Sequence, residues 1–228
     1  MEKKLWTYGN AIAKYPVTVG SVWSVGGATF VCGDLEGDQT VLRGQLDKIK
    51  PDLMYVDPPW DDKIATDFRV KSGLDEKHRE VDVSTVIRAV LKLAKDLRVL
   101  ALMEGGHKRR ELNRRCAEAV GSKVAAEWTI TYTQKAVPCA LFAVDFRDEP
   151  KADWPDFNGL SELQTEELSL RHYKPRVVFD PCGGLGGTAE AAAYVGTQSL
   201  SHELSPYKMA AAIKRLAKFT GQKPIQIQ

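Results

Sequence analysis

Short apolar runs rich in β-branched residues alternate along the chain with amphipathic stretches of helical period. Such alternation is typical of a mostly parallel sheet with helices packed on its faces. Apolar runs predict strands at residues 28–32, 53–56, 97–103, 126–133, 139–146, 176–179 and 197–202. Apolar residues at helical spacing predict helices near residues 83–91, 112–120, 188–195 and 206–217.

Local signals and breaks in the pattern complete this prediction. Asp82 is expected to cap the first of these helices. Residues 61–80 lack periodicity and are predicted to form a long loop, and residues 147–175 are an unassigned connector. We therefore predict one α/β domain over residues 1–228.

Composition narrows the class of protein. The 228 residues are 43% hydrophobic and 27% charged, which is typical of globular proteins. No apolar run approaches the roughly 20 residues of a membrane helix, and no signal-peptide pattern is present, so a cytoplasmic location is expected. The four cysteines have no paired spacing, and the histidines show no ligand spacing, so no metal site is predicted. A net charge of +2 permits a polyanionic partner without requiring one.

The strongest chemical signal is Asp57-Pro58-Pro59-Trp60 at the end of a hydrophobic strand. Active sites of open α/β sheets lie beyond the carboxyl ends of the strands. The prolines hold the carbonyl between them rigidly, so Asp57 and the Pro58 carbonyl offer two fixed acceptors for the protons of an aromatic amine. Trp60 offers a flat face for stacking a base. The alternative is a proline-stiffened turn with a surface tryptophan.

A second signal is a glycine-rich turn between a strand and a helix, a context typical of nucleotide-cofactor loops. It reads Asp180-Pro181-Cys182-Gly183-Gly184-Leu185-Gly186-Gly187-Thr188. Glu203 closes the next strand, where a carboxylate commonly binds both hydroxyls of a cofactor ribose. Glu203 could instead be a solvent-facing strand end. Asp34, after the first predicted strand, could bind the amino group of a cofactor's base or act as a turn residue.

Basic residues form two clusters that could contact a phosphate backbone. One follows the proline motif, and the other occupies a helical region. The first cluster comprises Arg69, Lys71, Lys77, His78 and Arg79. The second comprises Lys108, Arg109, Arg110, Arg114 and Arg115. A solvated surface is the alternative for both.

These motifs resemble those of the DNA amino-methyltransferases, in the subgroup whose catalytic motif precedes the cofactor loop. That family's catalytic tetrapeptide, DPPY or DPPW, matches residues 57–60 in full. Its cofactor loop, commonly DPFxGSGTT, matches at Asp180, Pro181, Gly184, Gly186 and Thr188. Cys182, Leu185 and Gly187 depart from the family pattern. Lys174-Pro175 is similar to the family's short motif before the cofactor strand.

The resemblance implies a Rossmann-like S-adenosylmethionine-dependent methyltransferase fold, circularly permuted, with a mostly parallel seven-stranded sheet. Residues 28–146 would be the catalytic half and residues 176–219 the cofactor half. The implied activity is methylation of the exocyclic amino group of adenine in DNA by a monomer or homodimer with no membrane association. S-adenosylmethionine is the implied cofactor. No long insertion is present for target recognition, so relaxed sequence specificity is expected.

Three alternatives remain open. An RNA adenosine methyltransferase shares the DPPW motif. A cytosine amino-methyltransferase more often has serine where this chain has Asp57. The third is an inactive subunit of the same fold that binds nucleic acid, although such a subunit would be free to lose Asp57, Gly184, Gly186 and Glu203.

Overall fold

One mixed sheet organises the protein. The computed structural model describes residues 11–71, 82–132, 137–150 and 153–228. The strands are β1 Val22–Val25, β2 Ala28–Cys32, β3 Leu53–Val56, β4 Leu100–Gly106, β5 Val124–Tyr132, β6 Val137–Asp145, β7 Val177–Asp180, β8 Gln198–Glu203 and β9 Ile225–Gln226. Their order across the sheet is β5-β6-β4-β3-β7-β8-β2-β1-β9.

The sheet is mostly parallel, as expected. Neighbours from β4 through β3, β7 and β8 to β2 all pair in parallel. Strand β6 runs against both β4 and β5, and β1 runs against both β2 and β9. Strands β7 and β8, late in the sequence, therefore lie at the centre of the sheet. The expected circular permutation stays a prediction.

The expected count of seven strands is too low, because β1 and β9 extend the sheet beyond β2. Strand β1 pairs with β2 through the turn Gly26-Gly27, where both glycines have positive φ. Two such residues form the tight hairpin turn that matches strand twist. Strand β9 is two exposed residues paired with β1, and so short a segment has no pattern of its own.

Helices cover both faces of the sheet. The helices are α1 Ala11–Lys14, α2 Thr40–Ile49, α3 Asp62–Lys71, α4 Val83–Leu97, α5 Arg110–Ala119, α6 Glu162–Tyr173, α7 Gly187–Val195 and α8 Pro206–Thr220. Alternate residues of β4 belong to different core clusters, Ala101 with α2, α4 and α5, and Leu102 with α6 and α7. This alternation follows from the pleat of a strand. Among the described helices, none is long and apolar enough to span a membrane.

Two helices correct the sequence-based prediction. The loop predicted at residues 61–80 contains α3, and the unassigned connector contains α6. Helix α6 begins with a capping box, in which Ser161 and Gln164 each bind the other's backbone N–H. That motif was visible in the sequence, but the helix behind it has no strong apolar stripe. The predicted Asp82 cap is confirmed by its bond to the Ser84 N–H.

We predict that Ser161→Ala lowers the free energy of unfolding by roughly 0.5–2 kcal/mol, the usual effect of losing an N-cap. Urea denaturation measures the change. Ser122→Ala is the control, since the described residues include no hydrogen bond from its hydroxyl. Equal losses in the two variants would contradict a capping role for Ser161.

Candidate functional site

A cavity of about 690 Å³ lies at the carboxyl ends of the central parallel strands. It gathers most of the predicted catalytic and cofactor-binding residues from distant parts of the chain. The predicted residues that line it are Asp34, Asp57, Pro59, Asp180, Pro181, Cys182, Gly184 and Glu203. Pro58, Trp60 and Gly186 adjoin these residues in sequence but are not part of the lining.

Asp57 is the half-buried carboxylate that follows β3. Burial and, after it, the negative charge of Glu162 raise its pKa to about 7. The Trp60 indole N–H opposes this effect by donating a hydrogen bond of 2.6 Å to Asp57 Oδ1. The hydrogen bond from Trp60 therefore orients the Asp57 carboxylate at the wall of the cavity.

Trp60 packs beside the cavity. Its ring and that of Tyr132 form a T-shaped pair, with centroids 5.2 Å apart and planes at 79°. Tyr132, which sequence reasoning did not single out, lines the cavity. The stacking role of Trp60 stays a prediction. In the structure its indole N–H also has another role, because it donates the hydrogen bond that orients Asp57.

The glycine-rich turn is fixed by backbone contacts. The Gly183 N–H donates to the His202 carbonyl over 2.7 Å, and the Gly186 N–H to the Gly183 carbonyl over 2.7 Å. Gly186 has φ +79°, and a Cβ there would lie 3.0 Å from the Ala212 Cβ. Both facts require glycine, because an added side chain would be strained and would press on α8.

Glu203 binds the turn directly. Its Oε2 accepts the Gly184 N–H and its Oε1 the Ser205 N–H, each over 2.8 Å. Burial raises the pKa of Glu203, whereas the Lys208 ammonium and these hydrogen bonds lower it. Each carboxylate oxygen can accept a second bond, so the ribose role stays a prediction.

Asp180 begins the turn and is buried at its base. Its Oδ1 accepts the Cys182 N–H over 3.0 Å, and burial raises its pKa to about 7. Asp34 also has a local bond, from the Glu36 N–H over 3.0 Å. Asp34 therefore acts as a turn residue and also lines the cavity.

The predicted basic residues do not share one surface role. Arg69 is buried, and its guanidinium pairs with Glu36 and Asp34 at the cavity. Arg110 pairs with Glu127, whereas Lys108 and Arg109 are exposed. Lys77 and Arg79 lie outside the described residues, as does the side chain of Lys71. Phosphate binding by this set stays a prediction.

Sequence reasoning missed several cavity residues. Glu162 and Glu166 come from the first turns of α6, and Lys208 from the first turn of α8, where its ammonium lies 3.5 Å from the Phe68 ring centroid. Lys174 instead caps the far end of α6. The capping box at Ser161 was an available signal for this helix.

Sequence reasoning also missed Glu104, a buried residue of β4. It is fully buried in β4 and accepts a 2.7 Å hydrogen bond from the Tyr55 hydroxyl. Burial and the charge of Asp57 raise its pKa well above the usual range. The signal for Glu104 was a single acid at the end of an apolar strand, in Leu-Ala-Leu-Met-Glu.

Solved structures with this architecture define the fold class. M1.HpyAVI in complex with S-adenosylmethionine superposes with a TM-score of 0.56 at 13% identity, covering 83% of this chain and 98% of that one. The chain thus has the α/β fold of S-adenosylmethionine-dependent methyltransferases, as expected.

Two other solved proteins share the fold. TTHA0409 of Thermus thermophilus, whose own assignment as a DNA modification methylase is provisional, was solved with S-adenosylmethionine. It gives a TM-score of 0.55 at 17% identity over 84% of this chain and 93% of that one. PvuII DNA methyltransferase, which is cytosine-N4-specific, gives 0.54 at 14% identity over 85% and 91%. No protein-family model and no curated protein sequence matches the chain.

We predict that Trp60→Phe raises the pKa of Asp57 above about 7, because the lost indole N–H favours the charged carboxylate. The carboxylate of Asp57 would then ionise at higher pH. Carboxyl-carbon NMR in metal-free buffer measures the titration, with Asp57→Asn to assign the signal. Trp128→Phe is the control, since Trp128 packs against Phe157 and Trp154 instead. An unchanged Asp57 pKa in Trp60→Phe would contradict the hydrogen bond.

Proposed function

We propose that this protein is a methyltransferase that uses S-adenosylmethionine to methylate the exocyclic amino group of adenine in DNA. The observation that carries the proposal is the meeting of two distant motifs. Asp57 of the DPPW motif lines the same cavity as the glycine-rich turn and Glu203. A methyl donor and an acceptor amine must be held together for direct transfer, and one cavity with both groups meets that need.

The cofactor assignment is supported by shape and charge. The turn from Pro181 to Gly184 lines the cavity, and its two glycines have no side chain to keep a nucleoside from approaching the backbone closely. Several carboxylates line the cavity, and negative charge suits a cofactor that carries a sulfonium and an ammonium group. Two solved proteins of the same fold hold S-adenosylmethionine. Glu203 is the proposed ribose acceptor.

Asp57 is the proposed acceptor for the target amine. The lone pair of an aromatic amine is delocalised into its ring, so the nitrogen is a weak nucleophile. Hydrogen bonds from its protons to Asp57 and the Pro58 carbonyl would draw the nitrogen toward tetrahedral geometry. Bound S-adenosylmethionine would supply the methyl group and become a neutral thioether, and the methylated amine would release one proton. Because Asp57 titrates near neutrality, its carboxylate can accept that proton.

Adenine is preferred over cytosine because residue 57 is aspartate, where cytosine amino-methyltransferases more often have serine. PvuII methyltransferase is a cytosine-N4 enzyme of this fold, so the experiment must also detect methylated cytosine. Tritiated methyl transfer to DNA and RNA oligonucleotides, followed by nucleoside analysis, distinguishes the products. N6-methyldeoxyadenosine supports the proposal, and N4-methyldeoxycytidine, N6-methyladenosine in RNA or no product contradicts it.

We predict opposite defects for Asp57→Ala and Glu203→Ala. Asp57→Ala should abolish methyl transfer and leave cofactor affinity largely intact, because its bond to the amine matters mainly in the transition state. Glu203→Ala should weaken S-adenosylmethionine binding by roughly 1.5–3 kcal/mol, as for a lost hydrogen bond to a charged group. Calorimetry and single-turnover assays measure the two effects.

Each variant is the control for the other. Loss of cofactor binding in folded Asp57→Ala, or unchanged affinity in Glu203→Ala, would show that the roles are misassigned. Because Glu203 also binds the Gly184 N–H, the fold of its variant is checked by circular dichroism.

Target recognition is expected to be relaxed. Helices α3 and α6 lie within the two stretches that were available for a recognition module, and both line the cavity. Both stretches are short for such a module and are not dense in the Arg, Asn and Gln that read base edges, so most contacts would go to phosphate. We predict methylation at sites of at most a few base pairs, with a rate that falls steeply as salt rises. Sequencing of modified positions on a plasmid measures this, and modification confined to one motif of about six base pairs would show the prediction wrong.

A further inference from the structure

Three carboxylates converge beside the cavity from separate elements. Asp57 follows β3, Glu104 lies in β4, and Glu162 is the first residue of α6. One oxygen of each lies within 4.8 Å of one oxygen of the other two. Like charges this close repel one another strongly, so the arrangement requires a compensating positive charge or a shared proton.

Glu104 is the most constrained member of the group. Its side chain has no exposed surface, and its Oε1 accepts the Tyr55 hydroxyl. Its Oε2 is buried without a hydrogen-bond partner among the described residues. A buried polar atom that lacks a partner is costly, and native proteins rarely retain one without a ligand, water or ion to satisfy it.

Aromatic donors orient two of the three carboxylates. Tyr55 holds one oxygen of Glu104, and Trp60 holds Oδ1 of Asp57. The described residues provide no hydrogen bond to the second oxygen of either group. Outer donors that fix one oxygen and leave the other for a cation are the usual second layer of a metal site.

We propose that Asp57, Glu104 and Glu162 bind one divalent cation of the hard, oxygen-preferring class, such as Mg²⁺, Mn²⁺ or Ca²⁺. All three ligands are carboxylate oxygens, and hard cations prefer such ligands over nitrogen or sulfur. Water from the adjoining cavity would complete the coordination. No sequence pattern indicated this site, because the three acids lie far apart in the chain and share no spacing.

A cation here would compete with a target amine for Asp57. This consequence rests on the proposed function, whereas the binding site itself does not. Binding measured directly therefore tests the site whether or not the protein transfers methyl groups.

The test is titration of the full-length, chelator-treated protein with Mn²⁺, followed by electron paramagnetic resonance and calorimetry. Wild type should bind one Mn²⁺ per chain, which excess Mg²⁺ or Ca²⁺ displaces. Glu104→Gln keeps an acceptor for the Tyr55 hydroxyl and removes the charge, so affinity should fall at least about tenfold. Tyr55→Phe, which loses only the orienting hydroxyl, should weaken binding by roughly 10–100-fold.

Glu149→Gln is the matched control, since Glu149 is exposed and does not belong to the group of three carboxylates. It should bind Mn²⁺ like wild type. The proposal is overturned if wild type binds no stoichiometric Mn²⁺ at millimolar concentration, or if Glu104→Gln binds as tightly as wild type. In either case a proton, not a cation, would hold the carboxylates together. Circular dichroism of each variant confirms folding, and Glu162→Gln provides a second ligand variant at the start of a helix.

Discussion

The pairing of β7 between β3 and β8 is the constraint on which the site depends. Parallel register aligns Met54 of β3 with Phe179 of β7, and Asp180 of β7 with Ser201 of β8. The residues that follow these strands must then emerge together at one edge of the sheet. Asp52 reinforces the alignment, because its carboxylate accepts the N–H groups of Arg176 and Val177.

Several buried or half-buried carboxylates line the cavity that results. Burial raises the pKa of both Asp57 and Asp180 to about 7 and that of Glu166 to about 8. These groups carry little charge until pH approaches neutrality, and a bound cation would stabilise their charged forms. The same electrostatic property supports both the proposed sulfonium cofactor and the proposed divalent cation.

Helix α6 shows how a fold can assign function to a segment that has no motif. Its capping box fixes where the helix begins, and its first turns bring Glu162 and Glu166 to the cavity. Glu166 accepts the Thr188 hydroxyl over 3.0 Å, which connects α6 to the helix after the glycine-rich turn. A connector between two sequence motifs thus becomes one wall of the site.

The sequence by itself determined the α/β class, most strands, and the two motifs that line the cavity. These rest on local physics, namely apolar runs, helical spacing, and the backbone demands of Pro58-Pro59 and Gly186. The tertiary structure alone decided the nine-strand order, the Asp57–Trp60 hydrogen bond and the approach of Glu104 and Glu162 to Asp57. Those features depend on strand pairing and burial between residues far apart in the chain. No local pattern encodes which distant carboxylates will share one buried space.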